Sequence, residues 1–143
     1  MVEGQAVLLE PELPPRVQAL FAQPRHAGRP RTGRFQHGTG GMVKSGNLLE
    51  IWIAVRDQEI TDARFEAFGC PSTIACGEWL CAWLPGRTVG AAERLTGLEL
   101  AEALELEPVK RSVALVAEDA LKAALAAPAQ DIDDDAEDRK YGA

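Results

Sequence analysis

The 143-residue chain is short of the side chains that most often carry chemistry, with three Cys, two His and one Tyr. It also lacks long apolar runs. No stretch approaches the ~20 apolar residues that cross a bilayer, so no membrane span is expected. No basic segment followed by an apolar stretch and a small-residue cleavage site opens the chain, which argues against export. Sparse cysteine on an acidic, unexported chain predicts a cytoplasmic protein whose thiols stay reduced. No acid–base pair or nucleophile triad can be read from spacing, so an enzyme is not expected. The length fits one domain able to bury a core without disulfides or metal staples.

The charge is unevenly placed. The net value of −7 hides a segment from Leu13 to Leu49 with no acid, five Arg and one Lys. Arg25, Arg29, Arg31 and Arg34 fall within ten residues of one another. Such an arm suits a phosphate, an acidic protein surface or the chain's own acidic body. It is not read as a nucleic-acid binder, because Phe35 alone interleaves with the arginines.

Hydrophobic periodicity predicts an α+β fold, with a small antiparallel sheet of about three strands packed against helices. Pro14-Pro15 opens a helix carrying Val17, Leu20 and Phe21, and Pro24 stops it. Residues 25–46, with six Gly and one Pro, read as a mobile loop with a short edge strand near Phe35. Leu49, Ile51, Ile53 and Val55 alternate with Glu50, Trp52, Ala54 and Arg56, the period of a half-buried strand. A polar turn at Asp57-Gln58-Glu59 leads into a second strand, Ile60 to Phe68, making a hairpin. After Gly69-Cys70-Pro71 the period becomes helical until Pro85-Gly86. One or two helical turns fall between Leu95 and Leu106, and a strong helix covers Val109 to Ala127. The expected organisation is an N-terminal extension (1–13), one domain (14–127) and an acidic disordered tail (128–143).

The most informative segment is Ala63-Arg64-Phe65-Glu66-Ala67-Phe68-Gly69-Cys70, where a strand ends and a cysteine precedes a helix. Free N–H groups and the positive end of the helix dipole favour a thiolate there, so Cys70 is the expected reactive cysteine. Cys76 and Cys81 lie about 140° apart around a helix axis and are read as small core residues. His26 and His37 sit in the basic loop and are read as solvated, with metal ligation beside Cys70 as the sharper alternative. Trp52, Trp79 and Trp83 are read as packing residues.

At these residues the sequence resembles the IscU-like, NifU N-terminal-like iron–sulfur cluster scaffolds. Phe21-Ala22-Gln23-Pro24-Arg25-His26-Ala27-Gly28, the segment Asp62 to Cys70, and Ala117-Glu118-Asp119-Ala120-Leu121-Lys122 carry the resemblance, in order. It implies a cysteine desulfurase, a chaperone or another scaffold as partner, a 2Fe-2S cluster or zinc as bound group, and iron binding at three cysteines. The first family ligand corresponds to Ser45 in Ser45-Gly46-Asn47, with Asn47 replacing a carboxylate. The second is Cys70. The family's final His-Cys pair corresponds to Ser112-Val113, after a surviving Pro108-Val109-Lys110. One thiolate cannot hold a cluster within one chain, since clusters take soft, deprotonated ligands. Cofactor binding is therefore assigned to Cys70 alone, and partner docking to Pro108, Val109, Lys110 and the four arginines. Two expectations follow. The chain handles sulfur on Cys70, or bridges a cluster in a homodimer completed by non-cysteine ligands or glutathione. Alternatively it is a pseudo-scaffold that docks on assembly partners and regulates them without binding a cluster.

Overall fold

The computed structural model describes residues 13–133. A four-stranded sheet is covered on one face by helices. The elements run α1 (Pro15–Ala22), β1 (Thr32–Met42), β2 (Asn47–Arg56), β3 (Glu59–Phe68), α2 (Pro71–Trp83), α3 (Val89–Arg94), α4 (Gly97–Ala103), α5 (Arg111–Ala126) and β4 (Gln130–Asp133). Short 3-10 turns at Val43–Ser45 and Pro108–Lys110 precede β2 and α5. The strand order is β3-β2-β1-β4, antiparallel throughout. Among the described residues no helix is long and apolar enough to cross a membrane.

The β2–β3 hairpin forms where the alternation predicts it. Arg56 pairs with Glu59 across a two-residue loop in which Asp57 and Gln58 both take positive φ (53° and 67°). That geometry matches the twist of paired strands. The register shifts beside Ala54, leaving Thr61 unpaired between Ile60 and Ala63. This bulge lets Ile60 and Ala63, at odd separation, both turn into the core, where each is fully buried.

Two expectations are corrected. The glycine-rich stretch is not a loop with a short edge strand, because Thr32–Met42 forms an interior strand between β2 and β4. Its glycines are a contact surface for α5. A Cβ on Gly38 would stand 2.1 Å from the Ala124 nitrogen, and one on Gly40 would stand 2.2 Å from the Val116 carbonyl oxygen. The sheet therefore has four strands rather than three. The fourth, Gln130–Asp133, falls at the start of the stretch expected to be a disordered tail and pairs with Thr32–Phe35. Residues 134–143 of that tail and residues 1–12 of the N-terminal extension lie outside the described residues.

The core lies between the sheet and α2 with α5. Leu49, Ile51 and Ile53 from β2 and Phe65 from β3 meet Ala75, Leu80, Ala117 and Leu121 there, all of them buried. Gly77 gives the Phe65 ring its space, since a Cβ would stand 2.5 Å from it. On the opposite face, Trp52 is covered by the basic segment. The His37 ring stacks on it at 4.6 Å, and the Arg29 guanidinium lies 5.4 Å from its centroid. Glu118 on α5 accepts the Gly97 N–H at 2.6 Å and so caps the start of α4. That hydrogen bond, then Lys122, holds its carboxyl below the usual carboxylate range.

Candidate functional site

Chain direction brings three loops to one end of the sheet. β1 ends and β2 begins at Met42 and Asn47, which face each other, and β3 ends beside them, with Phe68 opposite Leu48. Gly69 then turns the chain with φ 151°, and a Cβ there would stand 2.5 Å from Asn47 Oδ1 and 2.8 Å from Thr73 Oγ1. Only glycine fits. Cys70 follows in extended conformation as the residue before α2, with Pro71 at the first helical position.

The half-buried Cys70 sulfur has two side-chain neighbours. Thr73 Oγ1 lies at 3.6 Å, and Lys110 Nζ, from the 3-10 turn leading into α5, lies at 3.8 Å. Thr73 is fully buried, and its hydroxyl donates to Asn47 Oδ1 at 2.6 Å. The Cys70 thiol is lowered from its ordinary pKa. Burial pushes the other way but is outweighed by hydrogen bonds from the Thr73 side chain and the Thr73 and Ser72 backbone, and then by the Lys110 charge. These are the forces expected where a thiol meets a helix N-terminus and a cation. Burial pushes the Cys76 thiol up to about 12 and raises Cys81 further. Both are buried in the core and inert.

The other expected positions do not converge as ligands. Ser45 sits in a 3-10 turn, and its hydroxyl donates to the Met42 carbonyl at 2.9 Å. Ser112 is exposed, and Val113 is buried in the core at 3% exposure. The alternative that a histidine ligates metal beside Cys70 is also not supported. Nδ1 of His26 lies 2.6 Å from Glu78 Oε2, and its backbone N–H donates to Glu78 Oε1 at 2.7 Å. His37 pairs with Glu50 at 3.0 Å and stacks on Trp52. Among the described residues no group of three or more His, Cys, Asp or Glu could hold a metal ion. The side chains present therefore do not fit a cluster or zinc held by one chain.

All four arginines are exposed. Arg29 pairs with Glu66 at 3.5 Å and Arg34 with Asp131 at 3.2 Å, so these two lie on the chain's own body. Around Cys70 the surface is apolar and cationic. Met42, Val43, Phe68 and Val109 are each more than half exposed (57%, 58%, 52% and 75%), and Lys44 and Lys110 stand among them.

Sequence reasoning missed Thr73 and Glu78. Thr73 was visible as the residue one turn after Cys70 on the same helical face. Glu78 was visible as the one acid in α2, an otherwise apolar helix, since a buried acid requires a partner.

Comparison with known proteins points one way. Residues 14–131 match the family described as the NifU-like N terminal domain. The iron-sulfur cluster assembly scaffold protein IscU of Rickettsia prowazekii is 39% identical over 109 residues, covering 74% of this chain and 83% of that protein. The protein of the same name from Escherichia coli K12 is 36% identical, covering 74% and 85%. Among solved structures, a nitrogen-fixing NifU-like N-terminal protein from Brucella abortus superposes with a TM-score of 0.59 at 16% identity, covering 78% and 90%. A putative scaffold protein for the SUF system from Fervidobacterium islandicum gives the same score at 15% identity, covering 78% of this chain and 94% of that one.

Proposed function

Because the chain belongs to the NifU-like N-terminal domain family, we propose that it works in iron–sulfur cluster assembly by carrying sulfur on Cys70. The names of its relatives supply the process. The observation that carries the finer reading is the contrast at the site. One thiol is stabilised as its anion, while the residues at the other two family positions are a hydroxyl bonded to backbone and a buried valine.

The chemistry is thiol–persulfide exchange. The Cys70 thiolate attacks the outer sulfur of a persulfide on a donor protein, such as a cysteine desulfurase. The donor's S–S bond breaks as a new one forms at Cys70, the donor leaves as a thiolate, and the proton on the outer sulfur travels with it. One sulfur atom moves, and no external oxidant or reductant takes part. Lys110 and the Ser72 and Thr73 N–H groups hold the charge on the attacking sulfur and on the persulfide that replaces it.

A second reading is favoured by the exposed ring of Met42, Val43, Phe68 and Val109. Large apolar side chains exposed together on one surface mark a protein-docking face. On this reading the chain is a pseudo-scaffold, and a desulfurase, chaperone or another scaffold docks over Cys70 without using it.

One experiment separates the two. The full chain is incubated anaerobically with a cysteine desulfurase and cysteine, then analysed by intact-mass and peptide mass spectrometry. Sulfur carriage predicts one added sulfur atom on the Cys70 peptide and none in Cys70→Ser. A chain that binds the desulfurase equally well before and after Cys70→Ser, yet gains no sulfur, overturns the first reading in favour of the second.

A further inference from the structure

β1 changes partner along its length. Thr32–Phe35 pairs with β4, whereas Gln36–Met42 pairs with β2. From Gln36 to Met42 the side of β1 away from β2 has no strand beside it. Among the described residues no loop or helix backbone bonds to that stretch either. It contains no Pro, Lys, Asp or Glu, the residues that usually guard a free edge. α5 lies directly over it. A Cβ on Gly38 would stand 2.4 Å from the Ala120 oxygen, and one on Gly40 would stand 2.7 Å from the Ala120 nitrogen, so Ala120 marks the middle of the stretch. Ala114, Ala117 and Leu121 turn inward and are buried. The helical period then sets Ser112, Val116, Asp119 and Ala123 on the other flank, along the free edge of β1. Val116 touches the strand there, with Cγ1 3.1 Å from a Cβ placed on Gly41. Gln36 closes one end of this channel, its side-chain amide donating to the Ala124 and Leu125 carbonyls at 2.9 and 3.3 Å. The other end opens at Met42, which faces Asn47 beside the Cys70 site.

We infer that the channel between β1 and α5 takes an extended segment of another protein, added as a fifth strand beside Gln36–Met42. A row of unpaired main-chain donors and acceptors specifies an extended backbone as its ligand. Every second side chain of the added strand faces α5. Val116 and Ala123 call for small apolar side chains. Asp119 lies between them, is exposed, and has no cation paired to it among the described residues. It calls for Lys or Arg at the middle of the strand. The fitting segment therefore alternates apolar, basic and apolar residues on the side that meets the helix. A second copy of this chain fits less well. Twofold pairing centred on Thr39, under Ala120, sets the two Asp119 carboxylates against each other.

The test titrates the isotope-labelled full chain with acetylated Thr-Val-Thr-Lys-Thr-Val-Thr amide and reads backbone amide shifts. Two control peptides carry Glu in place of Lys, or methyl groups on the backbone nitrogens. The expected result is saturable shifts at residues 36–42 and along 112–123, severalfold weaker with the Glu peptide and lost with the methylated one. Asp119→Lys, a change at an exposed position, is expected to reverse the preference for Lys over Glu. No shift at 36–42 with any peptide overturns the inference, and so does equal binding of the methylated peptide. Exchange protection of the 36–42 edge in the free chain also overturns it. Protection that grows with protein concentration assigns the edge to a second copy, and protection lost on deleting residues 1–12 or 134–143 assigns it to the chain's own ends. None of these readouts uses Cys70, so the result is independent of the sulfur-carrying reading.

Discussion

At Cys70 one hydroxyl proton has two acceptors. Thr73 can donate to Asn47 Oδ1, leaving its oxygen to accept from the Cys70 thiol, or it can turn its proton to the thiolate. Asn47 is neutral, so it competes for that proton weakly and adds no repulsion. Asn47→Asp is therefore expected to raise the Cys70 pKa, by binding the hydroxyl more tightly and by placing a negative charge one side chain away from the sulfur. Lys110→Gln is expected to raise it as well, by removing the nearby cation. The pH dependence of Cys70 alkylation measures both, and a midpoint that stays in place in both variants refutes these roles. The linkage has a definite sign. With the folded pKa lowered, the thiolate adds stability above the ordinary thiol pKa of 9.0, and that contribution is lost as pH falls through the lowered value. Cys70 itself was legible in the sequence, because a glycine, a cysteine and a proline at a strand-to-helix change of period place a thiol at a helix N-terminus. Thr73 was within reach as well, one turn further along the same helix, but Asn47 and Lys110 come from other segments and meet the site only through the fold.

The elements that alternate cleanly, β2 and β3, form where their pattern predicts. β1 was missed because its glycines remove the alternation that marks a strand. Their function is steric. Gly38 and Gly40 let the backbone of α5 approach the sheet closely, and a methyl group at Gly38 would overlap Ala120 and Ala124 backbone atoms. Gly38→Ala is thus expected to destabilise the fold by about 3 kcal/mol or more, at the upper end of overpacking costs, because the obstructing atoms are backbone and cannot rotate away. Gly46→Ala meets nothing within 4 Å, and its cost is confined to its φ of 89°. Urea denaturation of the two variants checks the order; a Gly38→Ala protein as stable as Gly46→Ala would show that the helix does not sit this close. β4 was hidden for a different reason. Four residues, two of them Asp, carry no period, and pairing with β1 rather than local preference makes them a strand.

On the scale of the whole molecule, the basic segment is tied down at both ends of its path. His26 is held by the buried Glu78 carboxylate, and the backbone of His26 and Gly28 bonds to both polar groups of Phe65 (3.1 and 2.7 Å). Arg29 and His37 then cover Trp52. Glu78→Leu is expected to cost about 1–3 kcal/mol, by stranding the His26 donors, and to speed hydrogen exchange at Gly28 and Phe65. Unchanged exchange at those amides would mean that the strand contacts alone hold the segment. The charge asymmetry was legible in the sequence, but its destination was not, because a basic run does not state which carboxylates will face it. The same anchoring has a consequence for association. Strand borders are where chains add to one another and fibrils start. Here the outer border of β3 is sealed twice, by His26–Gly28 at Phe65 and by Gly86–Arg87 at Ile60. Among the described residues the other border is β4, four residues long and carrying Asp131 and Asp133, together with residues 36–42 of β1, which β4 does not reach. Growth by strand addition is therefore blocked at the β3 border and opposed by charge along β4, which leaves residues 36–42 of β1 as the stretch where another strand has room to add.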